Sequence, residues 1–194
     1  MPQYAVFLDR DGTINEDPGY LGDSKKVKIF PNTGKSLSLL KTRLNLKLIV
    51  ISNQSGIARG LISEDEVNAV NAKINDLLKA DHVSIDAFYY CPHHPDFSGP
   101  DETNCRKPSP SLVLQASKEL NIELSGSYFI GDSPSDILCG INAGLKTILV
   151  KTGYGTESIS ILQKQNIFPS FVADNISDAC KIILEDFTGE LIDR

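Results

Sequence analysis

Short apolar runs alternate along this chain with segments whose apolar residues recur at helical spacing. Ala5–Leu8 is entirely apolar and leads directly into the polar sequence Asp-Arg-Asp-Gly. Residues 47–52 are nearly all apolar and β-branched, which is typical of a central parallel strand. Between these runs, residues 32–44 place apolar side chains at positions 37, 39, 40 and 44, which predicts a helix.

The alternation continues to the end of the sequence. Ser63 followed by Glu66 has the pattern of a capping box, so a helix is predicted to begin there and to run to about Ala80. Further strands are predicted at 85–90, 127–130, 147–150 and 171–173, and further helices at 111–120, 135–143, 159–165 and 176–185. Strands that alternate with helices indicate an α/β fold, doubly wound around a mostly parallel sheet. No second hydrophobic run is long enough for a cap domain, so a single domain over 1–194 is expected.

Composition and charge narrow the class of protein. The 194 residues carry a net charge of −6, and the pI is near 5.0. This acidity disfavours nucleic-acid binding, which depends on cationic contacts to phosphate, and it argues weakly against anionic membrane surfaces. The N-terminus lacks the pattern of a secretory signal, and no segment approaches the ~20 apolar residues of a membrane span. We therefore expect a cytoplasmic protein without a nucleic-acid or membrane partner.

Two weaker expectations concern assembly and thiols. No long apolar stripe is left over for a partner chain, so a monomer is expected. The four cysteines are unevenly spaced, which favours free thiols over a disulfide framework. Cys139 and Cys180 lie on helical patterns and are interpreted as small core residues.

Polar residues follow the predicted strands at the points where those strands end. The first strand ends in Asp9 and Asp11, the second in Ser52, and the fourth in Asp132, with Asp136 four residues later. In an open α/β sheet, ligands bind beyond the carboxyl ends of the strands. Carboxylates and a hydroxyl on one rim, together with Lys107 from the long loop at 91–110, would form a site for a hard metal ion and a phosphoryl group.

Taken singly, several of these residues have ordinary structural explanations. Asp132 is equally well explained as a turn or cap residue, and Asp136 as a first-turn residue that the helix dipole favours. The motif from Asp9 to Thr13 is more specific, because two carboxylates so close together repel each other unless a cation lies between them. A carboxylate can attack phosphorus to form an aspartyl-phosphate, and a second carboxylate can transfer the proton.

Taken together, the motifs resemble the four-motif set of the haloacid dehalogenase superfamily. Within it, the chain resembles the heptose bisphosphate phosphatases and the related histidinol-phosphatase domains through residues 7–20, 52–60, 89–95 and 105–110. The likeness covers about residues 5–153, and it implies a Rossmann-like fold without a cap domain. One departure is Ser133, which stands where the family has a lysine, and this puts one electrostatic contact in doubt.

The resemblance implies a set of catalytic and metal-binding roles. Asp9 is implied to be the nucleophile and a magnesium ligand, and Asp132 a further ligand. Asp11 is implied to be the general acid and base, with its backbone carbonyl on the metal. Ser52 and Lys107 are implied to hold the transferring phosphoryl group, and Asp136 to orient Lys107 or a metal-bound water. The residues implied to line the substrate pocket are Asp17, Gly19, Tyr20, Asn53, Gln54, Ser55, Arg59 and Arg106.

The residues themselves support only part of this assignment. Arg106 beside Lys107 supplies the planar fork that suits a second phosphate group. Arg59 fits the pocket only somewhat better than it fits a solvated loop position.

The loop at 91–105 resembles a structural zinc loop of the same family. Cys91, His93 and Cys105 match three of its four ligands, whereas Thr103 stands where a thiolate is expected. Structural zinc requires four nitrogen or sulfur ligands. Two outcomes stay open: His94, Asp101 or Glu102 completes a zinc site, or the loop binds no metal.

The expected function is therefore a magnesium-dependent phosphatase acting on a small sugar bisphosphate. The resemblance implies removal of the phosphate at position 7 of D-glycero-D-manno-heptose 1,7-bisphosphate, in the synthesis of lipopolysaccharide and related surface glycans. The alternative is a histidinol-phosphate phosphatase with the same site. A non-catalytic binding module is disfavoured because the four residues of the implied chemistry are all present: Asp9, Asp11, Lys107 and Asp132. A phosphotransferase is disfavoured because it would need a cap domain to exclude water from the site.

Overall fold

A six-stranded parallel sheet forms the centre of the fold in the computed structural model, which describes residues 2–189. The strands are β1 Ala5–Leu8, β2 Lys47–Asn53, β3 Ala87–Cys91, β4 Tyr128–Gly131, β5 Lys146–Val150 and β6 Phe171–Ala173. They pair in the order β3-β2-β1-β4-β5-β6, and every pairing is parallel. The predicted doubly wound α/β fold is confirmed. The domain predicted over 1–194 includes residues 1 and 190–194, which lie outside the described part.

Helices cover both faces of this sheet. They are α1 Thr33–Leu44, α2 Glu64–Leu78, α3 Ser111–Leu120, α4 Pro134–Asn142, α5 Gly155–Lys164 and α6 Ile176–Thr188. Side chains of β1 alternate between the faces, so Val6 and Leu8 pack in the cluster that contains α1, α2 and α6. Ala5 and Phe7 pack on the opposite face with α3 and α4. Burial on both faces explains why the β1 sequence is apolar throughout rather than alternating.

The strand order reverses direction at β1. From β1 the chain proceeds outward through β2 and β3 on one side, then returns to place β4 on the other side. Such a switch point leaves a crevice beyond the carboxyl ends of the two central strands. Asp9 follows β1 and Asp132 follows β4, so the topology brings these two carboxylates to the same crevice.

Most element boundaries agree with the sequence pattern within two residues. The capping box of Ser63 and Glu66 at the start of α2 is confirmed. Helix α5 differs, because it begins at Gly155 rather than at 159. A Cβ atom at Gly155 would collide with the backbone carbonyl of Val150, so only glycine allows the helix to start this close to β5.

The predicted absence of a cap domain and of a membrane span can be compared with the structure over residues 2–189. Between the elements of residues 2–189 there is no inserted group of helices or strands that would form a cap, as expected. No helix of this part combines the length and the hydropathy that a membrane crossing requires.

Candidate active site

A pocket of about 460 Å³ opens at the carboxyl ends of the central strands. Its lining contains eleven of the residues predicted for the site: Asp9, Asp11, Asp17, Gly19, Tyr20, Asn53, Gln54, Ser55, Arg106, Lys107 and Asp132. Ser133, Ser135, Asp136 and Tyr154 also line it. Residues at or after the ends of five different strands thus contribute to one cavity.

The buried ammonium of Lys107 lies between two carboxylates. Its Nζ is 2.5 Å from an oxygen of Asp9 and 2.6 Å from an oxygen of Asp136, and it also donates to the backbone carbonyl of Ile51 at 2.9 Å. Asp136 is held in place by the capping box at the start of α4, where its other oxygen accepts from the backbone N–H and the hydroxyl of Ser133. Asp136 therefore acts both as a helix-cap partner and as a partner of Lys107.

Asp132 is fixed by the backbone around it. One of its oxygens accepts from the backbone N–H of Tyr154 at 2.8 Å, and the other lies 3.5 Å from the hydroxyl of Thr13. Gly12 has a φ of 86°, and a Cβ atom there would collide with the Asp132 carboxylate. Glycine is thus required both by the backbone conformation and by the close approach of the loop after β1 to Asp132.

The electrostatics of this cluster show an excess of negative charge. Burial raises the pKa of Asp9 well above its usual value; the ammonium of Lys107 opposes the shift, and the carboxylates of Asp136 and Asp132 add to it. Burial, together with the charge of Asp136, raises the pKa of Asp132 to about 7. For Lys107, burial lowers the pKa, but the two neighbouring carboxylates outweigh this effect and raise it overall. The lysine is therefore charged at neutral pH.

The donor set fits a divalent cation. Oxygen atoms of Asp9, Asp132 and Asp136 lie within 4.8 Å of one another. Among the described residues, a single ammonium, that of Lys107, forms ion pairs in this group, so the three carboxylates would carry two uncompensated negative charges when all are ionised. Magnesium prefers oxygen ligands and commonly shares its coordination with substrate phosphate. The side chain of Asp11 is not part of this group, and its predicted contribution of a backbone carbonyl stays a prediction.

Asp11 lies in a separate hydrogen-bonding network. Its carboxylate forms an ion pair with the buried guanidinium of Arg10 at 2.8 Å. The amides of Gln54 and Asn15 donate to it at 3.1 Å and 2.8 Å. Arg10 was not among the predicted site residues, although its position between two aspartates of the predicted motif was a usable signal.

Two predicted site residues do not reach the pocket lining. Ser52 is buried at the end of β2, where its hydroxyl accepts from Gln54 at 3.4 Å. Arg59 instead lies with its guanidinium over the ring of Phe97, at 4.9 Å, and within 2.9 Å of the His94 ring. Asn53 is fixed beside the site, because its side chain bonds to both backbone groups of Lys107.

The structure does not support the candidate zinc site. Cys91 and Cys105 are joined in a disulfide with a Cα–Cα distance of 5.3 Å, so neither sulfur is free to act as a thiolate ligand. His93 bonds to the hydroxyl of Ser98 instead, and Thr103 donates its hydroxyl to a backbone carbonyl. The expectation that the cysteines form no disulfide was therefore wrong for this pair, whereas Cys139 and Cys180 are free and buried, as expected of small core residues.

Tyr154 is the exposed residue of the pocket that sequence reasoning missed. It is 61% exposed and lines the pocket together with the half-exposed Tyr20. The residue immediately precedes α5, between the strand predicted at 147–150 and the helix predicted at 159–165. Its signal would have been the glycines on both sides, which mark a tight backbone turn at the end of a strand.

Comparisons with known proteins agree with this geometry. The family described as "HAD-hyrolase-like" matches residues 104–179. A D-glycero-D-manno-heptose-1,7-bisphosphate 7-phosphatase from Chlorobaculum tepidum is 40% identical over 183 residues, covering 90% of this chain and 91% of the relative. A D-glycero-beta-D-manno-heptose-1,7-bisphosphate 7-phosphatase from Pasteurella multocida is 38% identical, covering 92% of this chain and 96% of the relative.

A solved structure extends the likeness to the fold. The D,D-heptose 1,7-bisphosphate phosphatase from B. bronchiseptica, crystallised with magnesium and phosphate, superposes with a TM-score of 0.84 at 26% identity. The match covers 95% of this chain and 99% of that one.

Proposed function

This chain belongs to the haloacid dehalogenase superfamily and, within it, to the family of the heptose-1,7-bisphosphate 7-phosphatases. We propose that it removes the phosphate at position 7 of D-glycero-D-manno-heptose 1,7-bisphosphate. The observation that carries the proposal is a buried cluster at the carboxyl ends of the central strands, which consists of Asp9, Lys107, Asp136 and Asp132. Relatives named for the heptose bisphosphate favour this substrate over histidinol phosphate.

The chemistry follows from where each group lies. A carboxylate oxygen of Asp9 attacks phosphorus, and the bond between phosphorus and the sugar oxygen breaks. Asp11 gives its proton to the leaving oxygen, then takes a proton from the water that hydrolyses the aspartyl-phosphate. Lys107 holds the Asp9 carboxylate in position and offsets charge on the phosphoryl oxygens. Ser52 is proposed to bind the same oxygens. Its hydroxyl contacts Gln54 in this structure, so this role requires a small movement of the side chain.

Magnesium completes the proposal. Asp9, Asp132 and the backbone carbonyl of Asp11 would hold the ion, which when bound supplies positive charge to the transferring phosphoryl group. The enzyme is further proposed to act as a cytoplasmic monomer that supplies the synthesis of lipopolysaccharide and related glycans. Both the location and the oligomeric state stay predictions.

Magnesium should stabilise the protein in a pH-dependent manner. The pKa of Asp132 is raised by burial from 3.8 to about 7, so its stabilising contribution is present at low pH and is lost as the pH rises through about 7. A bound cation replaces the proton above that pH. At a concentration about 100 times its Kd at pH 8, Mg²⁺ is expected to raise Tm by about 5–10 °C near pH 8, and by much less near pH 5, where the same concentration binds more weakly.

Thermal unfolding with Mg²⁺ and with EDTA at both pH values measures this effect, and phosphate release is measured in parallel. Equal shifts in Tm at both pH values would show that the ion does not bind the buried carboxylates. Full turnover in EDTA would show that the reaction needs no divalent cation.

The second phosphate of the substrate has a matching group in the pocket. Arg106 lines the cavity, and burial lowers the pKa of its guanidinium, as does the nearby charge of Arg59. Within residues 2–189, neither arginine forms an ion pair with a carboxylate. Two guanidinium groups that lack an anionic partner favour a phosphate ligand.

Replacing Arg106 by alanine should therefore raise KM for the bisphosphate by about 10- to 100-fold, since a charged hydrogen bond is worth about 1.5–3 kcal/mol. KM for the corresponding monophosphate should change little, because it lacks the second phosphate. Arg43→Ala is the matched control, since Arg43 is exposed on α1, outside the pocket. An equal rise in KM for both substrates would place the second phosphate elsewhere.

The experiment that tests the function itself is a phosphate-release screen. It compares the heptose 1,7-bisphosphate with hexose bisphosphates and histidinol phosphate, and NMR of the heptose product shows which phosphate was removed. Preference for the heptose bisphosphate and loss of the phosphate at position 7 are expected. Preference for histidinol phosphate would overturn the assignment of the substrate while leaving the phosphatase assignment intact.

A further inference from the structure

Arg10 is the largest side chain that is fully buried in the described part of the chain. It directly follows Asp9, and its side chain is 0% exposed. Removing a guanidinium from water costs several kcal/mol unless it is paired and hydrogen-bonded.

Three partners surround the Arg10 guanidinium. Nε and Nη2 donate to the same oxygen of Asp11, at 3.1 Å and 2.8 Å. Nη2 also donates to the amide oxygen of Gln54 at 3.0 Å, and Nη1 donates to the amide oxygen of Asn71 on α2 at 3.0 Å. The arginine therefore links Asp11 to the loop after β2 and to a helix that lies outside the pocket.

These contacts divide the two oxygens of Asp11 into unlike groups. Oδ2 accepts from Arg10 twice and from Gln54 once, whereas among residues 2–189 Oδ1 accepts from Asn15 alone. Oδ1 is thus the oxygen that is left to exchange a proton with a bound substrate. A carboxylate held by one oxygen cannot rotate about its χ2 torsion, so the other oxygen keeps a fixed direction.

We infer that Arg10 is a positioning residue that holds Asp11 in the orientation needed for proton transfer, with Asn71 as the anchor of Arg10 on α2. The inference rests on the proposed function, in which Asp11 protonates the leaving oxygen. Removing the arginine should slow phosphoryl transfer most for substrates whose leaving group needs that proton. An alkyl alcohol needs it, whereas p-nitrophenolate leaves readily without it.

The test compares kcat/KM for the alkyl phosphate that the screen identifies with kcat/KM for p-nitrophenyl phosphate. This parameter reports steps up to the first irreversible one, so hydrolysis of the aspartyl-phosphate does not obscure it. Arg10→Gln should lower the value for the alkyl phosphate by about 100-fold and the value for the aryl phosphate by less than about tenfold, in keeping with the size of general acid catalysis. Arg10→Lys should restore part of the lost activity.

Three controls separate positioning from a merely structural role. Asp11→Asn should give the same selective loss, and Arg43→Gln no loss. Asn71→Ala leaves Asp11 and the pocket untouched, so it should reproduce the pattern of Arg10→Gln at smaller size, even if the arginine variants fail to fold. Equal losses for both phosphates in Asn71→Ala and in folded Arg10→Gln, beside a selective loss in Asp11→Asn, would overturn the inference. Absence of phosphate release by the wild type would instead refute the proposed function.

Discussion

Replacing Asp9 by asparagine is expected to lower kcat by at least about 10⁴-fold, the scale of loss seen when a covalent nucleophile is removed. An amide oxygen is a poor nucleophile and cannot form the aspartyl-phosphate. The substitution is nearly isosteric and removes one of three crowded buried carboxylates. Because burial already raises the pKa of Asp9, its charge is costly in the metal-free protein, so Tm should not fall.

Acid quenching followed by mass spectrometry provides a direct check of the same step. The wild type should carry a phosphoryl group on Asp9 during turnover, and Asp9→Asn should not. Asp65→Asn is the matched control, because Asp65 is exposed on α2. Turnover of Asp9→Asn within tenfold of the wild type would refute the role of Asp9 as nucleophile.

The sequence predicts most of the site because the fold brings residues that are distant in the chain to one edge of the sheet. Asp9 and Asp132 are far apart in the chain, but each follows a central parallel strand, and the carboxyl ends of such strands meet at one edge. Their burial could also be foreseen, since both strands are apolar throughout. Lys107 could be placed only near the end of the long loop at 91–110, because that loop has no periodicity that would fix the direction of its side chain.

Other features could not be predicted because they depend on side-chain direction. The sequence suggests each role of Asp136 separately, a first-turn helix residue and a partner of Lys107; that one side chain fills both depends on which way each of its oxygens points. The pairing of Cys91 with Cys105 depends on where a loop of irregular sequence brings its two ends. Spacing alone does not distinguish a disulfide from two ligands of one metal ion.

The close packing of Gly155 against Val150 is another feature that the sequence pattern does not predict. A glycine in a polar segment is usually interpreted as part of a turn, so the pattern placed the start of α5 too late. Contacts of this kind arise from the tertiary arrangement of the backbone, not from local propensity. The consequence reaches the site, because the same early helix start sets the position of the Tyr154 N–H that bonds Asp132.

Replacing Lys107 by methionine is expected to affect both stability and activity strongly. The change leaves Asp9 and Asp136 without their shared ammonium in a buried site. Breaking a buried ion pair on one side costs about 3–5 kcal/mol, so the free energy of unfolding near pH 8 in EDTA should fall by that amount. Activity with Mg²⁺ should fall by about 10²–10³-fold, because the lysine also offsets charge on the transferring group. Urea unfolding and phosphate release measure the two effects.

The double variant Lys107→Met/Asp136→Asn separates these two effects. It removes one of the carboxylates left unpaired, so the free energy of unfolding should recover in part, whereas activity should not, because no positive charge returns to the pocket. Near pH 5 the single variant should lose less stability than near pH 8, because the raised pKa values of Asp9 and Asp132 allow protons to replace the missing ammonium. Lys118→Met, an exposed change on α3, is the matched control. If Lys107→Met were as stable as the wild type at both pH values, the buried carboxylates would not depend on the lysine for their charge balance.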